Sequence, residues 1–279
     1  MIKRIKYVTP AIVLLLILIL GKDFYPKFSN EIHAFSSTNQ QNKTSSTAKT
    51  VDTLLLVGIP RGWSDQRLVR KAYYSSYNKM SRNPNFVAWH LTRNHTKGNV
   101  YRTDMLFEED TEVKAPRATN ADYTRSGYDR GHMCPSGDNK WDEQAQRESF
   151  LYTNCCPQNH NFNSGVWEEL ESSCRHWANK YGDLWIVCGP VWSPDKTYKT
   201  IGKNKVVVPE QFFKVVLARK KGRYQAIGFV YRNMSGTKPM EFFVRTIDEV
   251  ERLTGLDFFR SLPDNIEDEV ESTADLKNW

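Results

Sequence analysis

The sequence predicts an α+β fold, a mostly antiparallel central sheet with few helices, and three observations predict it. Short apolar runs rich in β-branched and aromatic residues recur along the chain, each bounded by Gly, Pro or Asn. One long segment instead repeats its apolar residues at helical spacing. The order is strands, then that helix, then strands again. With 279 residues, 39% hydrophobic and 13% aromatic, the chain can fill one large core, or at most two domains.

The elements follow in chain order. Residues 1–21, MIKRIKYVTPAIVLLLILILG, place three basic residues before an apolar run. That pattern reads equally as a cleaved export signal or as an anchor through residues 7–21. Either reading puts the body outside the cytoplasm, secreted, periplasmic or membrane-tethered. Residues 22–53 read as a flexible polar linker, since SSTNQQNKTSSTAKTVDT has almost no large apolar group. The folded domain is expected over 54–279. Its strands are expected in LLLVGIP from Leu54, FVAWHLT at 86–92 and LWIVCGPVW at 184–192, then KVVVPEQFFKVVLA at 205–218 and YQAIGFVYR at 224–232. The helix is expected over Asn163–Gly182, where Val166, Trp167, Leu170, Cys174, Trp177 and Tyr181 keep the helical period and Gly182 ends it. A second helix is expected over Thr246–Leu253, closed by Gly255.

Formal net charge is +7. The leader's three basic groups and the tail's six acids and one lysine leave residues 22–261 at +9. That distribution suits a polyanionic partner, although a solvated basic face has the same signature. Five cysteines allow two disulfides and one thiol outside the cytoplasm. Cys174 and Cys188 can meet across the core as a bridge, or serve as two small buried hydrophobes. No Cys/His spacing supports zinc.

The chemistry concentrates in two segments. SGYDRGHMCPSGD at 126–138 sets Asp129, Arg130 and His132 between glycines. A neutral imidazole there suits a general base, and the bland alternative is a surface histidine with incidental neighbours. YTNCCPQNHNFNSGVWEELE at 152–171 is dense in carboxamides and runs into the long helix. Asn163 stands where a helix N-cap would, and capping could be all it does. Glu171 follows about 12 Å along the axis and roughly 80° around it, so both can serve one ion only through a bound water. A hard cation held by one neutral oxygen keeps several waters, which is how Mg²⁺ usually sits in phosphoryl-transfer sites.

DRGH at 129–132, TNCCPQ at 153–158, NSGVW at 163–167 and LE at 170–171 together resemble the DNA/RNA non-specific endonuclease family, of the ββα-metal (His-Me finger) nucleases. The likeness covers roughly residues 54–279, with VGIP at 57–60, CGPV at 188–191 and ERLTGLDFF at 251–259 as further counterparts. The resemblance implies a ββα-metal nuclease core, with His132 as general base, Asn163 as the metal ligand and Glu171 acting on the metal through water. It assigns Asn154 to support the site and Arg130 to the arginine of DRGH. Asp129 is expected to fix the loop by pairing with a basic group. The arginine that steadies the phosphate in some relatives falls near Asn99, with Arg102 beside it. Cys134 stands where relatives often have alanine, and Cys155-Cys156 replace other small residues.

The implied activity is Mg²⁺-dependent endonucleolytic hydrolysis of DNA and RNA with little sequence preference, Mn²⁺ substituting, and 5′-phosphate products. The substrate is nucleic acid, and membrane contact runs only through an uncleaved leader. The competing class is a binding protein that kept the fold and lost catalysis. The intact set His132, Asn163 and Glu171 argues against it.

Overall fold

The computed structural model describes residues 51–193 and 196–279. The leader and nearly all of the linker lie outside the described residues.

Strands β1 (Gln66–Val69), β2 (Tyr73–Asn78), β3 (Asn83–Thr92), β4 (Asp129–His132), β5 (Cys155–Gln158), β6 (Asp183–Pro190), β7 (Thr200–Ile201), β8 (Val206–Val207), β9 (Gln211–Lys220), β10 (Arg223–Arg232) and β11 (Val244–Arg245) are described, and the short helices α1 (Asn120–Tyr123) and α2 (Glu143–Ser149) lie between β3 and β5. Seven of them form one sheet in the order β1-β2-β3-β6-β9-β10-β11. Every neighbouring pair in it is antiparallel. The α+β expectation therefore holds.

Side chains alternate across a strand, so one sheet serves two cores. Val87, Trp89 and Leu91 of β3 join Phe212, Val216 and Ala218 of β9 on one face. Phe86 and Ala88 join Phe213, Val215 and Leu217 on the other. The first face is covered by helix α4 (Val166–Tyr181), which buries Val166, Trp167, Leu170, Cys174 and Trp177 as its spacing predicts. Gly182 stops it at φ 100°, a conformation that favours glycine. The chain end locks over this helix: Trp279 packs 5.0 Å from Trp177, and the Tyr181 hydroxyl donates to the Asn278 carbonyl.

The second face is covered by α5 (Ile247–Thr254) and α6 (Asp264–Glu271), through Ile247, Val250 and Val270. Helix α5 lies one residue beyond the expected Thr246–Leu253. Thr246 and Glu249 form a reciprocal capping box, and Gly255 closes it in the left-handed region.

Three expectations are corrected. LLLVGIP is not a strand: Thr53–Leu55 is a single 3₁₀ turn, followed by an isolated bridge from Gly58 to Asp257. KVVVPEQFFKVVLA is two strands, because Pro209 interrupts it; β8 pairs with β7, and only β9 enters the large sheet. The proposed Cys174–Cys188 bridge is not formed. All five cysteines are free and buried, so the pair fills the core as small hydrophobes. Strand β1 (QRLV) is too short and β2 (YYSSYN) too polar for the search for apolar runs to find.

Candidate active site

Four segments meet on the α4 face. β4 carries the DRGH residues and pairs antiparallel with β5, placing His132 opposite Cys155 and Gly131 opposite Cys156. The chain then enters a one-turn helix, α3 (His160–Asn163), and passes Ser164-Gly165 into α4. Two strands and a helix thus surround one polar centre. Gly131 is required where it stands, because a Cβ there would lie 1.9 Å from the Gln158 amide oxygen.

His132 sits against aromatic rings rather than in an open polar loop. Its ring packs edge-on to Phe150 at 4.8 Å and against Phe107 at 5.1 Å. The residue is half-buried, yet its Nε2 is enclosed and has no hydrogen-bond partner among the described residues. Burial pushes its pKa down to about 3, and the nearby positive charge of Arg102 adds to the effect. Neutrality is built in, and a neutral imidazole nitrogen can take a proton.

Asn154 fixes the turn that follows His132. It is fully buried; its Nδ2 donates to the carbonyls of Cys134 and Ser149, both at 2.8 Å, and its Oδ1 accepts from the Cys134 N–H at 2.9 Å. Its own carbonyl accepts from the Met133 N–H at 2.8 Å. These bonds hold the backbone beside His132 in one place.

Asn163 is not the N-cap of the long helix. It ends α3, and Gly165 occupies the N-cap position of α4 without a side-chain bond. The expected helical rise from Asn163 to Glu171 is thus broken at Ser164-Gly165. Asp129 does what the sequence suggested, and more. Its Oδ2 accepts from His160 Nδ1 and from Asn163 Nδ2, each at 2.9 Å. The second bond turns the Asn163 amide so that its oxygen, not its nitrogen, is uncommitted. That neutral oxygen fits a hard cation.

Glu171, half-buried on α4, has its pKa raised to about 7 by burial, with Lys214 pulling the other way. Lys214 went unread in the sequence. It is fully buried on β9, its Nζ lies 4.5 Å from the Trp167 ring centroid, and it has no hydrogen-bond partner among the described residues. Its inward position between Phe212 and Val216 in the strand's alternation was the available signal.

Arg130 lies on the same strand face as His132. Its guanidinium reaches the Tyr152 hydroxyl at 3.2 Å and the Asn120 side chain, and lies 5.7 Å from the Phe107 ring centroid. Phe107 thus borders both residues. Arg102 is exposed in a 3₁₀ turn, within electrostatic reach of His132. The geometry therefore gathers His132, Arg130, Asn154 and Asn163 around β4, and brings Arg102 to the same side. No direct contact joins Glu171 to Asn163 among the described hydrogen bonds. Phe107, Phe150 and Lys214 are the neighbours that sequence reasoning missed.

Comparison with known proteins gives the family. Residues 51–265 match the family model of the DNA/RNA non-specific endonucleases. The chain is 36% identical over 219 residues to the protein named Nuclease EXOG, mitochondrial, of Danio rerio, covering 74% of this chain and 64% of that one. It is 33% identical over 201 residues to human Endonuclease G, mitochondrial, covering 68% of each. A crystal structure of an EndoG/EndoGI complex matches with TM-score 0.69 and 31% identity, over 72% of this chain and 88% of that one. This chain thus spans less than two thirds of the EXOG relative's length. The names of these relatives give no support to secretion. The chain belongs to the DNA/RNA non-specific endonuclease family.

Proposed function

We propose, from that membership, that this protein is a largely sequence-non-specific endonuclease that hydrolyses phosphodiester bonds of DNA and RNA, leaving 5′-phosphate ends. The observation that carries the reading is the state of His132: an enclosed imidazole nitrogen, held neutral and without a partner among the described residues. In this reading His132 takes the proton of the attacking water. Asn154 keeps its backbone from shifting, and Asp129 keeps the Asn163 amide oxygen pointed into the site.

Asn163 would hold a single Mg²⁺, or Mn²⁺ in its place, and Glu171 would reach the same ion through water. Such an ion supplies Lewis-acid stabilisation of charge on the phosphate and the departing oxygen. Arg130 and the exposed Arg102 supply positive charge beside His132 for the phosphate backbone. Contacts to phosphates carry no base information, which accounts for the lack of sequence preference. Residues 1–21 would direct the protein to an organelle or across a membrane.

Nicking of a supercoiled plasmid tests the reading. Wild type should convert it in Mg²⁺ and stop in EDTA, and His132→Ala in Mg²⁺ should be slower by roughly 10²–10⁴-fold. A chain that binds DNA but never nicks it is a binding protein, and the reading fails.

A further inference from the structure

The opposite face of the sheet carries a second set of convergent oxygens. Asp248 and Glu251 lie three apart on α5, so they share one side of that helix. Glu271 comes from α6. One carboxylate oxygen from each of the three lies within 4.8 Å of the others. We propose that Asp248, Glu251 and Glu271 form a divalent-cation site of the Ca²⁺ class, which clasps α5 to α6.

Acidic clusters are common on surfaces, and the burial of Glu271 sets this one apart. Glu271 is only 8% exposed, and its Oε1 is enclosed with no hydrogen-bond partner among the described residues. A buried carboxylate oxygen without a donor is a costly feature unless something positive meets it. No basic group is among the charges acting most strongly on it: Glu251, Glu267, Asp248 and Asp257 are all acids. The same holds for Glu251, on which Asp257, Asp248 and Glu267 act. Arg260 bears on Glu267.

One ligand is already oriented. Glu251 Oε1 accepts the Phe258 N–H at 2.7 Å, which fixes the carboxylate from below and leaves its other oxygen for an ion. The donor set is all carboxylate, without His or Cys, so it selects hard cations over zinc or copper. Ligand number narrows the class. Three protein carboxylates suit Ca²⁺, which takes flexible all-oxygen shells, better than Mg²⁺, which is usually held by one or two carboxylates and keeps several waters. Its role is structural. Both helices pack on β10 from outside, and an ion between them would join Glu251 and Glu271 across the gap that their charges otherwise oppose.

The test is calcium binding by calorimetry and thermal melting on the EDTA-stripped full chain. It is done in Asn163→Ala, so that the proposed catalytic ligand contributes nothing. That variant should bind one Ca²⁺ per chain and melt at a higher temperature when Ca²⁺ is added. Adding Glu271→Gln, or separately Asp248→Asn, should weaken Ca²⁺ binding by about tenfold or more. Both substitutions are near-isosteric and relieve repulsion, so the metal-free variants should melt no lower than their parent. Glu271→Gln in the otherwise wild-type chain should leave plasmid nicking in Mg²⁺ unchanged. The site is overturned if Ca²⁺ gives neither heat nor a shift in melting in Asn163→Ala. It is equally overturned if Glu271→Gln binds Ca²⁺ as its parent does.

Discussion

The two faces of the central sheet differ in the ionisable groups they bury. On the α4 face burial strips the charge from a base, His132, whose pKa falls to about 3. On the α5/α6 face burial strips it from acids, lifting Glu251 to about 7 and Glu271 to about 8. The physics is the same, since desolvation always disfavours the charged form. The consequence differs. A neutral imidazole keeps a nitrogen free to accept a proton, at the cost of lower basicity, whereas a crowded, half-neutralised carboxylate set is incomplete without a cation. Only the first face carries the catalytic proposal.

The largest expected effect lies on the α4 face. His132→Ala should lose roughly 10²–10⁴-fold in cleavage rate while still binding DNA. Added Mg²⁺ should not restore it, because only the proton acceptor has gone. Asn163→Ala should behave differently, with a raised Mg²⁺ requirement and partial recovery at high concentration. Single-turnover rates across a Mg²⁺ series separate the two. Metal-dependent recovery of His132→Ala would show that His132 is not the base.

A smaller effect should follow from the support beneath that base. Asn154→Ala leaves the Cys134 N–H and two buried carbonyls without their partners. An orphaned buried group costs about 1–3 kcal/mol, so a loss of about 3 kcal/mol in unfolding free energy is expected. Urea denaturation measures it. A variant as stable as wild type would mean that those backbone groups find water, and that Asn154 does not hold the His132 loop.

Much of the α4 face was legible in the sequence, and the reason is local. DRGH, the carboxamide-rich segment and the helical stripe each declare themselves within a few residues. What escaped depends on distance along the chain. Asp129 and Asn163 are joined by a hydrogen bond across 34 positions, and only the fold shows that the aspartate aims the asparagine. Phe107 and Phe150 close around His132 from two other segments. The helix start was misplaced because Asn163 reads as an N-cap three residues before Val166, whereas the backbone breaks at Gly165, which holds that position. On the second face Asp248 and Glu251 show helical spacing, yet nothing in the sequence ties them to Glu271 on a separate helix.

The pH dependence of cleavage sharpens the contrast between base and acid. His132 stays neutral well below pH 5, so it should contribute no acidic limb near neutrality. Glu171, raised to about 7, should contribute one. If its carboxylate form orients water, activity should rise as pH increases through about 7. Higher Mg²⁺ should move the limb to lower pH by favouring the ionised form. Glu171→Gln should be slower and should lack the limb. A limb that persists in Glu171→Gln would return the titration to another group.

The smallest expected effect is on the pH dependence of stability, where His132 and the α5/α6 acids act in opposite windows. His132 has a folded pKa below its unfolded value of about 6.5, so the unfolded chain binds the extra proton. Its contribution is intact above pH 6.5 and is lost as pH falls toward 3. Glu251 and Glu271 have folded pKa values above the unfolded value of about 4.3, so there the folded chain binds the extra protons. Their contribution is intact below pH 4.3 and is lost as pH rises through 7 and 8. The EDTA-stripped protein should therefore melt highest in mildly acidic buffer and lose stability on both sides. Glu271→Gln removes one titrating group from the second face alone. It should flatten the decline between pH 6 and 8 and leave the acid side as it was. Saturating Ca²⁺ should flatten the same decline in wild type, because an ion would hold the carboxylates charged in the folded state. Melting curves at half-unit pH steps decide the matter. If Glu271→Gln follows wild type throughout, the acids on the α5/α6 face do not titrate with folding, and the contrast between the faces rests on His132 alone.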